Sequence, residues 1–130
     1  AGGKNISPEK IENTLKLSPF IKEAVAIGDK RKFISALIQI DLDHTGDWAQ
    51  KRKLSYTSFE DLTKQEAVIT LIKKELDYLN NNLAQVEQVR SFKLFPQALS
   101  EDQGELTATQ KVKRKAILKK YSALVERIYR

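Results

Sequence analysis

The chain has 130 residues, 41% hydrophobic and 31% charged, the profile of one globular domain that can bury a core without covalent staples. It has no cysteine and one histidine, His44, which removes disulfides, thiolate nucleophiles and cysteine metal sites and leaves no basis for a histidine relay. Its 23 Lys+Arg against 17 Asp+Glu give a net charge of +6, which favours acidic partners such as nucleotides, coenzymes, nucleic acids or lipid headgroups without choosing among them. No apolar run approaches the roughly 18–20 residues of a membrane span, and no signal peptide is visible. Absent cysteine fits a reducing cytosol. The opening Ala1-Gly2-Gly3, without an initiator methionine, reads as the start of an excised fragment whose upstream part is missing.

In chain order, residues 1–6 read as a loop or short extended segment. Ser7-Pro8-Glu9 predicts an N-cap with proline at the first helical position. Ile11, Leu15 and Leu17 suit an amphipathic helix that Pro19 ends. An apolar strand over 23–27, the polar turn 28–32 and a second strand over 33–40 predict an antiparallel hairpin. Asp41 to Gly46 is a polar bend able to cap a short helix holding Trp48. Ser58 and Asp61 resemble a capping box, and the helix after them spaces Val68, Leu71, Ile72, Leu76, Leu79 and Leu83 by threes and fours. Asn80-Asn81-Asn82 are poor helix formers that predict fraying or packing at its end. A third strand over 89–95 stops at Pro96, an acidic loop covers 100–104, and a last helix from about Gln110 turns Ile117, Tyr121, Leu124, Val125 and Ile128 to one side. The fold expected is α+β, a small antiparallel sheet (a hairpin plus a third strand) flanked by helices, in a single domain over 1–130.

The site candidates are few. No glycine-rich phosphate cradle, nucleophile elbow or metal-ligand spacing occurs. Asp41 and Asp43 read as capping residues ahead of an acid/base pair, His44 as a surface or capping residue, and Trp48 and Tyr78 as packing residues ahead of a base-stacking platform. The basic turn Lys30-Arg31-Lys32 reads as solvated. The segment 104–115 is more informative, because a polar loop built from Gly104, Thr107 and Thr109 carries Lys111 into a helix dense in positive charge. Such a loop can deliver an ammonium group to a phosphate or a developing oxyanion. On local pattern alone the solvated face of a terminal helix is the favoured reading.

Three segments taken in order say more. The segments are Gly2-Gly3-Lys4-Asn5-Ile6-Ser7-Pro8-Glu9-Lys10-Ile11-Glu12, then Leu17-Ser18-Pro19-Phe20-Ile21-Lys22-Glu23-Ala24-Val25 with Ile27-Gly28-Asp29, and Gly104-Glu105-Leu106-Thr107 through Lys111-Val112-Lys113-Arg114-Lys115, placed near the two ends of the chain. Together they resemble the C-terminal domain of the adenylate-forming enzymes, in the long-chain fatty acid–CoA ligase (acyl-CoA synthetase) branch. The resemblance implies activation of a fatty acid with ATP, accompanied by Mg2+, to an acyl-adenylate, then transfer of the acyl group to CoA. A large N-terminal domain, absent here, would hold the nucleotide and the acyl pocket. The C-terminal domain would swing between two poses and be inactive, binding no cofactor, alone.

By the same resemblance Lys111 is the adenylation lysine. Gly3 lies along the pantetheine tunnel, Lys4 and Asn5 neighbour CoA or the partner domain, and Gly104, Thr107 and Thr109 shape the lysine loop. No residue is implied to bind metal. Two positions depart from the family pattern: Gln110 stands where many members have glycine, and Ala108 where proline is frequent. The implied partners are the missing N-terminal domain, ATP, fatty acid and CoA, without specific nucleic acid. The implied setting is cytoplasmic, with peripheral membrane contact of the full-length enzyme allowed. The alternatives are a small basic nucleic-acid-binding domain and a non-catalytic relative of the family.

Overall fold

A computed structural model describes residues 6–130. Ser7 turns the chain into its first helix. Its hydroxyl accepts the Lys10 N–H at 3.3 Å, and Pro8, with no N–H to leave unpaired, takes the first position of α1 (Pro8–Leu15). Ile11 and Leu15, one turn apart, both point into the core. The helix stops at Leu15 rather than at Pro19, so Leu17, expected on its apolar face, lies beyond it and is 68% exposed.

β1 (Ile21–Ile27) and β2 (Ile34–Ile40) form the expected antiparallel hairpin. β3 (Val89–Leu94) joins the other side of β2, parallel to it, in the order β1-β2-β3. The sheet is therefore mixed rather than wholly antiparallel. The reason lies in the connection from β2 to β3, which contains α2 (Leu42–Lys51), α3 (Phe59–Lys64) and α4 (Glu66–Leu79). A helical crossover of that length returns the chain to the end of the sheet where β2 began, as a parallel pair requires.

All seven residues of β2 are buried, as befits a central strand covered on both faces. Ile34, Ala36, Ile38 and Ile40 face one core with Ile11, Leu15, Leu62, Val68 and Ile72 from α1, α3 and α4. Leu37, with Val25 and Ile27 of β1, faces a second core made by Phe95, Leu99 and Leu106 with Ile117, Val125 and Ile128 of α5 (Arg114–Lys120) and α6 (Ser122–Ile128). An irregularity in the register between Ile21 and Glu23 breaks the strict alternation of β1, so Ile21 shares a core with Ala24 and Ala26.

Local capping follows the polar residues. Asp41 accepts the His44 N–H at 2.9 Å and faces the His44 ring at 3.0 Å, so Asp41 caps α2 and His44 is an exposed residue of its first turn. Ser58 accepts the Asp61 N–H at 3.1 Å, while the Asp61 carboxylate reaches back to the Thr57 N–H at 2.8 Å, one residue earlier than a capping box requires. Trp48 packs partly against the first core with the Arg52 guanidinium 4.3 Å from its ring centre. Tyr78, expected to pack, is 72% exposed. Among the described residues no helix is long and apolar enough to cross a membrane.

Two helical expectations are revised. The pattern through Leu83 ends at Leu79, because Asn80 enters a 3-10 turn and spends its side chain on β3. Its amide donates to the Val89 carbonyl and accepts the Val89 N–H, both at 2.9 Å, replacing a strand neighbour where β3 starts. The last helix begins at Arg114, not Gln110, and is broken at Tyr121 into α5 and α6. Replacing Asn80 with Asp keeps one of the two Val89 bonds and sets a carboxylate against the Val89 carbonyl. Urea denaturation at neutral pH is expected to show a loss of about 1–3 kcal/mol, with Asn80→Ala similar.

Candidate functional site

The residues expected at the start of the last helix instead form a small hairpin that stands on the second core. Leu106, which is buried, bridges Val112 in antiparallel fashion. The Thr107 N–H donates to the Lys111 carbonyl at 2.7 Å, and the Gln110 N–H donates to the Thr107 carbonyl at 2.8 Å. Gln110 has φ +68°. These bonds, with a left-handed residue in fourth place, describe a three-residue hairpin turn closed by a bulge of the kind that usually takes glycine. A glycine at this position would have a conformational reason, and Gln110 adopts the same backbone with a side chain attached.

The threonines hold the turn from within. The Thr107 hydroxyl accepts the Lys111 N–H at 3.0 Å and lies 3.1 Å from the Thr109 hydroxyl. Gly104, at φ +73°, ends the acidic loop and leads into Glu105. A Cβ there would meet no atom within 4 Å. Gly104→Ala should therefore cost only the left-handed strain, about 1 kcal/mol in a thermal or urea melt, and leave the hairpin in place.

Lys111 projects from the end of this turn, exposed, into a cleft of about 360 Å³. The opposite wall is α1 with Glu9, Glu12 and Asn13, joined by Glu23 and Ala24 of β1 and by Lys16 and Arg114. The cations sharing the cleft are already engaged. Lys16 lies 3.6 Å from Glu23, and Arg114 pairs with Glu12. Among the described residues Lys111 pairs with no carboxylate, so its charge is available to an anion from outside. No three His, Cys, Asp or Glu side chains gather to hold a metal ion among the described residues.

Two carboxylates that make no bond to Lys111 hold the feet of its hairpin. Glu12 accepts the Ala26 N–H at 2.8 Å and the Arg114 guanidinium, which also donates to the Ala26 carbonyl at 2.9 Å. Glu105 is buried and accepts the Ser100 N–H at 3.0 Å, the Tyr121 hydroxyl at 2.5 Å and the Lys120 ammonium at 2.8 Å. Burial by itself would raise its pKa, but the bonds from Lys120, Tyr121 and the Ser100 N–H outweigh burial and hold the carboxyl below its ordinary range. Burial, reinforced by the Glu105 charge, pushes the Tyr121 phenol well above its own.

Neither Glu12, Glu105 nor Arg114 stands out in the sequence as a site residue. Each looks like one charge among many, and Glu12 and Arg114 lie 102 positions apart. Lys111, Thr107 and Thr109 are brought together on the hairpin, and Gly104 leads into it. Gly3, Lys4 and Asn5 lie outside the described residues.

The sequence model described as the AMP-binding enzyme C-terminal domain matches residues 1–130. The chain belongs to that family. It is 38% identical over 130 residues to a long-chain-fatty-acid–CoA ligase of Mycobacterium tuberculosis, covering 99% of this chain and 22% of the relative. With human long-chain-fatty-acid–CoA ligase 1 it shares 32% identity over 132 residues, 99% of this chain and 19% of that one. The chain thus spans about a fifth of the length of these relatives.

In fold, this AMP-binding C-terminal domain superposes on the adenylation domain of a carboxylate reductase from Mycobacterium chelonae. The TM-score is 0.77 at 19% identity, over 99% of this chain and 18% of that one. An anthranilate CoA ligase in complex with anthranoyl-AMP matches with a TM-score of 0.55 at 20% identity, over 98% and 20%. The mixed three-stranded sheet flanked by helices is the architecture of the C-terminal domain of adenylate-forming enzymes. Membership in this family does not favour the nucleic-acid-binding alternative.

The depressed Glu105 pKa makes a signed prediction. A carboxyl whose folded pKa lies below its ordinary value of 4.5 adds stability that is fully present above that value and is lost as pH falls through the folded pKa. Urea midpoints measured at about pH 6 and about pH 3 should therefore differ more in the parent than in Glu105→Gln, whose acid limb is expected to be flatter.

Proposed function

We propose that this chain is the mobile C-terminal domain of a long-chain fatty acid–CoA ligase, with Lys111 as the residue that promotes acyl-adenylate formation. The observation carrying this reading is an exposed lysine, paired with no carboxylate among the described residues, at the end of a hairpin pinned at both feet. It stands in a chain related over its whole length to fatty-acid–CoA ligases. The nucleotide, the acyl pocket and the remaining residues of the site would come from a larger domain preceding this one, in keeping with the share of its relatives' length that the chain spans.

The chemistry asks for such a lysine. In the first half-reaction the fatty carboxylate attacks the α-phosphorus of ATP, and the bond to pyrophosphate breaks. Two anions must approach each other, and negative charge builds on the equatorial oxygens as they do. An ammonium placed between them offsets that charge, and its effect is largest where water is excluded. Magnesium would arrive on the ATP phosphates. In the second half-reaction the CoA thiol attacks the acyl carbonyl and AMP leaves, a step in which Lys111 is not required.

Gly3 would then border the path of the pantetheine arm, where a side chain would obstruct the thiol, with Lys4 and Asn5 beside CoA or the partner domain. The +6 net charge of this domain would also suit its part in peripheral contact with an anionic membrane surface in a cytoplasmic setting.

In the intact protein that carries this domain, Lys111→Ala should lower pyrophosphate release by about 10²–10³-fold, the range typical of removing one group that stabilises developing charge. Thioester formation from supplied acyl-adenylate should largely survive. Pyrophosphate release at a near-normal rate would overturn the assignment. Gly3→Leu should do the reverse, sparing adenylation and blocking acyl transfer to CoA. Equal loss in both half-reactions would indicate a folding defect and remove Gly3 from the pantetheine path.

A further inference from the structure

We infer that Glu105 is a positioning residue for Lys111, a conclusion that rests on the reading of Lys111 as the adenylation lysine. The Glu105 side chain is 3% exposed, and it touches neither Lys111 nor the cleft. Its side chain and backbone do separate work. The backbone is the rung beneath the lysine turn, because the Glu105 carbonyl accepts the Lys113 N–H at 2.9 Å and its N–H donates to the Ser100 carbonyl at 3.0 Å. The carboxylate ties that rung to three donors in two places, Ser100 in the preceding loop and the adjacent Lys120 and Tyr121 where α5 ends.

Tyr121 gives the tie a fixed reference. Its ring meets Phe95 edge-on, with centroids 4.9 Å apart, and Phe95 is fully buried and donates its N–H to the Ile38 carbonyl at 2.8 Å. A continuous series of contacts therefore runs from β2 through Phe95, Tyr121 and Glu105 to the hairpin. An apolar residue at 105 could fill the same space. A carboxylate with three directional bonds fixes orientation as well as position, at the cost of burying a charge. That precision is useful here, since the lysine stem is itself flexible and only its backbone origin can be set by the fold. Misplacement of a catalytic group by about 1 Å can cost on the order of a hundredfold in rate.

The test uses Glu105→Gln and Tyr121→Phe, each alone and with Lys111→Ala, in the intact protein, with both half-reactions measured. Tyr121→Phe removes only the hydroxyl that reaches Glu105 and keeps the ring against Phe95, so it remains informative should the Gln variant fold poorly. Each single substitution is expected to lower the kcat of adenylation by about 10- to 100-fold, while thioester formation from supplied acyl-adenylate stays within about twofold. Neither should lower adenylation further once Lys111 is Ala. Amide hydrogen exchange at Thr107, Gln110 and Lys111 should rise in both variants.

Equal loss in the two half-reactions would make Glu105 merely structural and overturn the proposal. So would an additional loss on top of Lys111→Ala, or unchanged exchange in the hairpin. If Lys111→Ala alone leaves pyrophosphate release intact, the parent reading fails and the catalytic part of this one falls with it. Raised exchange in that case would show that Glu105 holds the hairpin for another purpose.

Discussion

The outer edge of β1 needs hydrogen-bond partners that the sheet does not supply, and at Ala26 the pair Glu12–Arg114 supplies both. Glu12 takes the N–H, Arg114 takes the C=O, and the two side chains bond each other. A carboxylate and a guanidinium thus make one rung of a strand that is not there. The rung joins α1, β1 and α5, and it leaves no charge one-sided in a partly buried place, where a lone ion would be costly. Because Arg114 is the first residue of α5, the same contact fixes where that helix starts and hence where the C-terminal foot of the Lys111 hairpin stands.

The two cores divide the remaining work. The core under α1 to α4 fixes the sheet and α1, which is one wall of the cleft. The core under α5 and α6 includes Leu106 and so supports the hairpin from below. Lys111 itself packs against neither. Under the proposed function Lys111 would meet ligands supplied by another domain, and a short turn with a rigid base suits that task, since a helix position would point it along a fixed face and a long loop would leave it unplaced. The turn obtains its rigidity from its own polar groups, with Thr107 and the left-handed Gln110 closing it, and from Glu105 and Arg114 at its feet.

Much of the candidate site is legible in the amino-acid order. The Gly104–Thr107–Thr109–Lys111 pattern marks the lysine loop, and the two outer segments point to the family. The form of that loop is not legible. Helix propensity in 110–120 suggests a helix starting at Gln110, whereas the segment 106–112 pairs with itself. A bridge between Leu106 and Val112 buries Leu106, which a helix begun at Gln110 would leave unpaired. Asn80 similarly reads as a weak helix former, and only the position of Val89 shows that its amide is spent on a strand.

Features that act over a few residues follow from the order of amino acids alone: the Ser7 and Asp41 caps, the β1–β2 hairpin and the presence of an ammonium on a polar turn. These depend on backbone geometry and on side chains reaching their immediate neighbours. Long-range packing was needed to make β3 parallel to β2, to break the last helix at Tyr121, and to set Glu12, Arg114 and Glu105 apart from the other charges of the chain. The physical reason is that a carboxylate's role depends on the donors that surround it once water is removed. For Glu12 the Arg114 donor lies 102 residues away, brought near by the packing of α5 against the sheet rather than by any local pattern.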